Sequence, residues 1–263
     1  MAQAPLYLKG VNSVSVYNVG DKHVTIFGEI HSEANVAEPV CPQPSMSLAT
    51  YLEFIHPPND DGILLLELPP TLVANVFSGN INAIMDKRKE GLLGDIEGID
   101  VRSQFINTGL LYNNHRRLIA MSLTDFMSQF FMMISVALNS LTKTIPKQMS
   151  VNDRTHLTKV LNDIGNDMNV INRYFKPQID ALINANQAAT VQDMVNTQLT
   201  VNGYTLIDII RHSWKKVTDF MVLKTIYTTP KRNVFILLGE MHAKNMEAVF
   251  KHFLQRMCAS KRL

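Results

Sequence analysis

The stretch Val24-Thr25-Ile26-Phe27-Gly28-Glu29-Ile30-His31 decides the fold, because a near copy recurs at Val234-Phe235-Ile236-Leu237-Leu238-Gly239-Glu240-Met241-His242. Each copy is a short apolar run that ends abruptly in Gly-Glu-x-His. An apolar run of this length is typical of a strand covered on both faces. In open α/β sheets, ligands bind beyond the carboxyl ends of such strands. The repeat therefore predicts that four side chains meet at one edge of one sheet: Glu29, His31, Glu240 and His242.

Two further polar groups follow apolar runs. The run Ile63 to Leu66 ends at Glu67, and a weaker run, 96–101, leads to Arg102. Histidines and carboxylates that converge at strand ends hold a divalent metal with an open position for water. Alternatively, a histidine acts as a base, a carboxylate orients it and an arginine binds an anionic group. The residues alone leave both chemistries open.

Strand geometry also predicts which of these side chains point to the same face of the sheet. In an extended strand end, Glu29 and His31 share a face, and so do Glu240 and His242. The glycine in each motif allows close backbone approach where the strand stops. The plainer interpretations are a strand followed by a helix-capping residue, a Glu67 that merely surfaces, and an Arg102 in an ordinary salt bridge. The duplication of Gly-Glu-x-His after two apolar runs favours a shared site.

The chain order predicts an α/β fold with a central, mostly parallel sheet flanked by helices and a large all-helical insertion. Residues 1–102 and 229–263 are expected to form one α/β domain, and 103–228 a helical insertion packed on it. Within the first part, 13–27 is typical of a hairpin, 45–56 of a short helix and 71–89 of a helix. Residues 32–44 contain three prolines and are expected to form a loop next to the site. The last helix is expected over 242–256.

Composition excludes several classes of protein. The chain has 263 residues, 46% hydrophobic and 18% charged, with a formal net charge of +2. This balance predicts no nucleic-acid partner. The two cysteines, Cys41 and Cys258, make no disulfide framework, and a reducing compartment is expected. No Gly-rich phosphate loop or Gly-x-Ser-x-Gly motif supports nucleotide or serine-hydrolase chemistry.

The sequence also bears on whether the protein is exported or spans a membrane. The N-terminus lacks a basic region followed by an apolar one, so no signal peptide is expected. The Met- and Phe-rich segment 118–141 has the length of a membrane span but contains Asp125, Gln129 and Asn139. Such groups are costly in hydrocarbon, so a buried helix or a homo-oligomer interface is expected instead. The protein is expected to be soluble and intracellular, without a membrane span.

The order Gly28-Glu-Ile-His31, Glu67, Arg102, Gly239-Glu-Met-His242 resembles a superfamily with two Gly-x-x-His motifs and a Glu and an Arg between them. It comprises the erythromycin esterases, the ChaN haem-associated proteins, the TraB/PrgY proteins and the TIKI proteases. The Glu within each motif is most similar to the erythromycin-esterase and ChaN-like branches. The resemblance implies a mostly parallel sheet with helices on both faces and the site at its edge. The match covers a few short motifs spread over nearly the whole chain.

The resemblance implies roles for four residues. His31 and His242 would be catalytic or metal-binding histidines, Glu67 a ligand or general base, and Arg102 the group that stabilises an oxyanion. We therefore expect a hydrolase of an ester or peptide bond in a small-molecule or peptide substrate. It would depend on a divalent metal (Zn, Mn or Co) or act unaided, with Glu29 and Glu240 as additional ligands. The alternatives are an inactive member of the fold that acts as a scaffold, and a haem- or iron-binding protein.

Overall fold

The structure is a computed structural model that describes residues 7–29, 45–72, 79–102 and 120–253. Its contacts divide the chain into two compact units. The first joins both ends of the chain, Met1–Asp100 and Thr229–Leu263, and the second is Val101–Thr228. Each unit is described by itself below.

The secondary-structure elements are numbered along the chain. The strands are β1 (Tyr7–Lys9), β2 (Ser13–Val19), β3 (Lys22–Glu29), β4 (Ser45–Ser47), β5 (Gly62–Leu66), β6 (Asp95–Gly98), β7 (Thr200–Val201), β8 (Tyr204–Thr205) and β9 (Asn233–Gly239). The α-helices are α1 (Leu48–Ile55), α2 (Gly79–Lys89), α3 (Leu123–Lys143), α4 (Val151–Val170), α5 (Lys176–Ala185), α6 (Val191–Asn196), α7 (Leu206–Thr228) and α8 (Glu240–Phe253). A π-helical turn, Ile171–Phe175, joins α4 to α5.

A five-stranded sheet in the order β2-β3-β9-β5-β6 organises the first unit. The pairs β3–β9, β9–β5 and β5–β6 are parallel, whereas β2 is antiparallel to β3. The predicted mostly parallel sheet is confirmed, and so is the hairpin, in which Val19 is paired with Lys22. Because β9 comes from the C-terminal segment and lies between β3 and β5, both ends of the chain are needed to complete this sheet.

Apolar side chains cover both faces of the sheet, as the unbroken apolar runs predict. On one face, Phe27, Leu64 and Leu237 pack with α1 and α2 in a single hydrophobic cluster. On the other face, α8 contacts β2, β3 and β9, and the rings of Tyr17 and Phe250 lie 4.8 Å apart. Helices therefore flank the sheet on both sides, and the strand ends remain as the place where polar groups gather.

The second unit is mainly helical. Its long helices α4 and α7 pack along each other, and α3 packs on α4 and α5. A small antiparallel ribbon, β7–β8, precedes α7. The Phe/Met-rich segment is helical over Leu123–Lys143, and Phe126, Met127 and Phe130 are buried. Within the described residues, no helix is long and apolar enough to cross a membrane.

Several predicted boundaries are wrong. The helix expected over 45–56 begins at Leu48, because the Ser47 hydroxyl accepts the Thr50 amide at 3.1 Å and caps it. Residues 45–47 instead form β4, parallel to β1. The helix expected from Thr71 begins at Gly79 in the described residues, and Leu72 lies in a turn closed on the Pro69 carbonyl. The expected 32–44 loop lies outside the described residues.

Candidate functional site

The two repeated motifs end side by side at one edge of the sheet. Strands β3 and β9 are adjacent and parallel, and Glu29 is in register with Gly239. On the other side of β9, Leu66, the last residue of β5, is in register with Leu237. Parallel strands in register carry their carboxyl ends to the same edge. The residues that follow β3, β9 and β5 therefore begin close together, at the same edge of the sheet.

A carboxylate and an imidazole meet at this edge. The Nε2 atom of His242 lies 3.4 Å from Oε1 of Glu67, and the two side chains are only 6% and 9% exposed. The other carboxylate oxygen, Oε2, accepts the backbone N–H of Gly239 at 2.9 Å. Buried carboxylates require such partners. The pair joins the end of β5 to the start of α8 and has little contact with solvent.

A tight backbone turn fixes the position of Glu67. The Glu67 amide donates to the Leu237 carbonyl at 3.2 Å, and the Leu68 amide donates to the Leu66 carbonyl at 2.7 Å. The chain then passes directly over Gly98, where any Cβ atom would collide with the backbone carbonyls of Leu68 and Pro69. Glycine at position 98 therefore leaves room for the turn that carries Glu67 to the sheet edge.

The second motif does not end as an extended strand. Helix α8 begins at Glu240, so the expectation that Glu240 and His242 share a face is wrong. Residues two apart in a helix point about 200° away from each other. The two side chains accordingly have partners on different strands. His242 contacts Glu67, which follows β5, whereas Oε2 of Glu240 accepts the Ser13 hydroxyl of β2 at 2.7 Å. One helical turn thus contacts both sides of β9.

Gly28 of the first motif makes room for Glu240 of the second. A Cβ atom at position 28 would collide with the Glu240 carboxylate and the Ser13 hydroxyl, and would lie 3.1 Å from the Cβ of Ala243. The Glu240 carboxylate also contacts Lys244 Nζ at 3.4 Å, one turn further along α8. The two motifs therefore interlock, with the glycine of one under the carboxylate of the other.

Glu29 is buried, with 2% of its surface exposed. Its Oε2 accepts a hydrogen bond from Asn80 Nδ2 at 3.0 Å, and the same Asn80 amide donates to the Gly10 carbonyl at 2.7 Å. Asn80 lies in the first turn of α2, where the helix dipole favours a negative charge. Helix α2 belongs to the cluster on the opposite face of the sheet from α8. Asn80 and Ser13 are thus partners that the sequence gives no reason to single out.

The remaining predicted site residues have different places. His31 lies outside the described residues. Arg102 is half-buried and belongs to the second unit, which begins at Val101. Among the described residues, no three His, Cys, Asp or Glu side chains are grouped so as to hold a metal ion. Glu67 and His242 are the predicted ligands that the structure brings into direct contact.

Known proteins offer no further guide to the chemistry. Comparison of the chain with models of protein families, with curated proteins and with solved structures gives no match. The contacts at the sheet edge are therefore the evidence on which a function is proposed.

Proposed function

We propose that the protein is a hydrolase of ester or amide bonds and that Glu67 and His242 form its acid–base pair. The observation that supports the proposal most strongly is the buried contact between these side chains at the carboxyl edge of the sheet. A carboxylate that orients an imidazole, and stabilises the imidazolium formed when it takes a proton, is a recurrent device of hydrolytic enzymes. Its position is where α/β sheets bind ligands.

In the proposed reaction, Glu67 holds the Nε2 side of the ring and Nδ1 takes a proton from the attacking water. The Gly239 amide fixes the Glu67 carboxylate, so the ring is oriented before substrate binds. The proton is then passed to the leaving alcohol or amine, which returns His242 to its starting state. Glu29 and Glu240 would keep the strand ends in place.

A divalent metal at this site is a second form of the same proposal. The 3.4 Å between Nε2 and Oε1 is long for a charged hydrogen bond. It equals the separation of about 3.4 Å between two ligand atoms that each lie about 2.1 Å from a tetrahedral metal. Glu67 and His242 would be ligands and His31 a third, whereas Glu29 and Glu240 are engaged with Asn80 and Ser13 instead. When bound, the metal would activate a water molecule for attack.

Elemental analysis separates the two forms. The purified protein is compared with the His31→Ala/His242→Ala variant. Stoichiometric Zn, Mn or Co in the wild type that is lost from the variant would support a metal-dependent hydrolase. Wild-type protein that stays metal-free after incubation with these ions, yet hydrolyses substrate, would support the unaided pair.

Activity is the test of the proposal as a whole. A panel of activated esters and peptide amides is assayed with wild type, Glu67→Gln, His242→Ala and a matched control, His23→Ala. His23 is exposed on β3 and contacts Asn18, far along the strand from the proposed site. We expect kcat/KM to fall about 10²- to 10⁴-fold in the two site variants and to stay unchanged in the control. Equal activity in all four proteins would overturn the assignment.

The other expected functions remain proposals with their own tests. On the sequence pattern, we propose that 103–228 is a helical insertion and that helix 118–141 forms a homo-oligomer interface. Val136 and Met132 of α3 are 52% and 61% exposed, which leaves a small apolar surface for self-association. If the protein is a catalytically inactive scaffold, it should form oligomers and hydrolyse no substrate. If it binds haem at His31 and His242, added haem should give Soret absorbance that the His31→Ala/His242→Ala variant lacks.

A further inference from the structure

The turn between β7 and β8 carries Asn202-Gly203, the one Asn-Gly dipeptide in the sequence. The residues on either side of it, Val201 and Tyr204, are paired, so the connection has only two residues. Both have φ in the left-handed region, at 52° for Asn202 and 81° for Gly203. Two-residue hairpins with positive φ at both positions favour Asn-Gly, because these residues adopt that conformation at little cost. The backbone of the turn therefore accounts for this dipeptide.

The same dipeptide places a side-chain amide next to an unshielded backbone nitrogen. Asn202 and Gly203 are both exposed. A Cβ atom added to Gly203 would have no atom of the described residues within 4 Å, so the space around its nitrogen is open. Because glycine has no side chain, nothing on residue 203 itself hinders the approach of the Asn202 side chain to that nitrogen. Water also has free access to both groups.

The ribbon that holds this turn is short enough to open at low cost. Ring closure between the Asn202 side chain and the Gly203 nitrogen requires Asn202 to leave the left-handed conformation, so the turn must open first. The ribbon has two residue pairs, Thr200 with Thr205 and Val201 with Tyr204. A two-stranded hairpin is marginally stable by itself, and the Tyr204 side chain is 62% exposed, so it adds little packing. Local opening of such a segment requires little free energy.

We propose that Asn202 is a site of spontaneous deamidation in the folded protein and that its isoaspartate product disrupts the β7–β8 ribbon. The Gly203 nitrogen attacks Cγ of Asn202, the bond from Cγ to the side-chain nitrogen breaks, and ammonia leaves with the Gly203 proton. Water then opens the resulting five-membered imide. Opening at Cγ gives aspartate with the normal backbone, and opening at the main-chain carbonyl carbon gives isoaspartate. Water is the only co-reactant.

The two products have the same added negative charge but different backbones. Aspartate tolerates the left-handed conformation, and Asp-Gly also forms this type of turn. Isoaspartate adds one methylene to the main chain, so a connection that fits two residues no longer keeps Val201 opposite Tyr204. Thr205, the last residue of β8, donates its hydroxyl to Asp208 Oδ2 at 2.7 Å at the start of α7. The altered turn therefore also loosens the beginning of this helix.

Mass spectrometry of the aged protein tests the site. The full-length protein is incubated at physiological temperature and mildly alkaline pH, and its proteolytic peptides are followed over time. We expect the peptide with Asn202 to gain about 1 Da and to become a substrate of protein isoaspartate methyltransferase. Asn59 is the internal control, because it is exposed and has a φ of 66° but is followed by Asp60. Its peptide should stay unmodified, and equal conversion at both asparagines would contradict the proposal.

Two comparisons test the opening of the turn and its consequence. The rate in the folded protein should lie within about tenfold of that in a synthetic peptide of residues 198–205, since tenfold corresponds to an opening cost of about 1.4 kcal/mol. An unmodified Asn202 in the protein after the peptide has converted would overturn the proposal. The isoaspartate fraction should have a Tm about 1–2 °C below that of Asn202→Asp, which has the same charge and a normal backbone. Equal Tm values would contradict the disruption of the ribbon.

Discussion

Gly28 is the residue on which the interlock of the two motifs depends. A methyl group at this position would meet the Glu240 carboxylate and the Ser13 hydroxyl. We expect Gly28→Ala to reduce the free energy of unfolding by about 1–3 kcal/mol, because overpacking forces neighbours to shift. Gly165→Ala is the matched control: nothing lies within 4 Å of its added Cβ, and it sits inside α4.

The control should move in the opposite direction. Alanine in a helix interior is favoured over glycine by about 0.5–1 kcal/mol, so Gly165→Ala should stabilise the protein. Urea unfolding of the wild type and both variants measures the two effects together. Equal stability of Gly28→Ala and wild type would mean that the close approach of Gly28 to α8 is absent in solution.

His56 is a fully buried histidine outside the proposed site. Its Nε2 lies 3.0 Å from the Asp95 carbonyl and its Nδ1 lies 3.0 Å from Asp60 Oδ1, beside the amino ends of β5 and β6. We expect His56→Ala to cost about 3 kcal/mol, through a cavity and the loss of the hydrogen bond to the Asp95 carbonyl. The exposed His23→Ala should change stability by no more than about 0.5 kcal/mol in the same unfolding experiment.

Residue-scale prediction from the sequence succeeds where the information is local. The repeated Gly-Glu-x-His indicates two polar strand ends, and close approach at the glycine is confirmed at Gly28. Ser13 and Asn80 are missed, because they meet Glu240 and Glu29 across separations of 227 and 51 residues. A serine in an edge strand and an asparagine in a helix carry no signal until the strand order is known.

At the scale of single elements, the start of α7 carries a pH dependence. Asp208 Oδ2 accepts the Thr205 hydroxyl at 2.7 Å and the Thr205 amide at 3.1 Å. These hydrogen bonds lower the pKa of Asp208 from its ordinary 3.8. Because the folded pKa is lower, the stabilisation is complete above pH 3.8 and is lost as the pH falls through the folded value.

Asp208→Asn tests this effect. The amide oxygen still accepts a hydrogen bond but has no charge, so we expect Tm to fall by about 1–2 °C at pH 6. The difference between variant and wild type should disappear in strongly acidic solution, where the aspartic acid is also neutral. A difference that is the same at both pH values would show that charge plays no part in the cap.

Element types are predicted better than element ends. The apolar runs predict β3, β5 and β9, and the three- and four-residue spacing predicts the helices of the second unit. The end of β9 is the informative failure, because α8 begins at Glu240 itself. No sequence signal separates an extended Gly-Glu-x-His from one that turns into a helix. That difference decides whether Glu240 and His242 point together or to opposite sides of β9.

At the scale of the whole molecule, β9 is the strand that joins the two ends of the chain. It lies between β3 and β5, and Val234, Ile236 and Leu238 are fully buried. A chain that ends at residue 228 should lose the sheet, since β3 and β5 then have no shared partner. The second unit, Val101–Thr228, keeps its own core, so native-like Trp214 emission should persist.

Hydrogen exchange of the truncated chain measures both halves of this prediction. Amides of β3 and β5 should exchange at unprotected rates, whereas those of α4 and α7 should stay protected. Protection of β3 and β5 without β9 would contradict the central place of that strand. The sequence does predict that the ends of the chain meet, because only then do the two motifs lie at one edge.

A double-variant cycle is the sharpest test of whether Glu67 and His242 act as one catalytic unit. The quantity measured is kcat/KM for the best ester or amide substrate with wild type, Glu67→Gln, His242→Ala and the double variant. Groups that act together are strongly non-additive. We expect the double variant to be no slower than His242→Ala alone. Losses that multiply, or no loss in any variant, would contradict it.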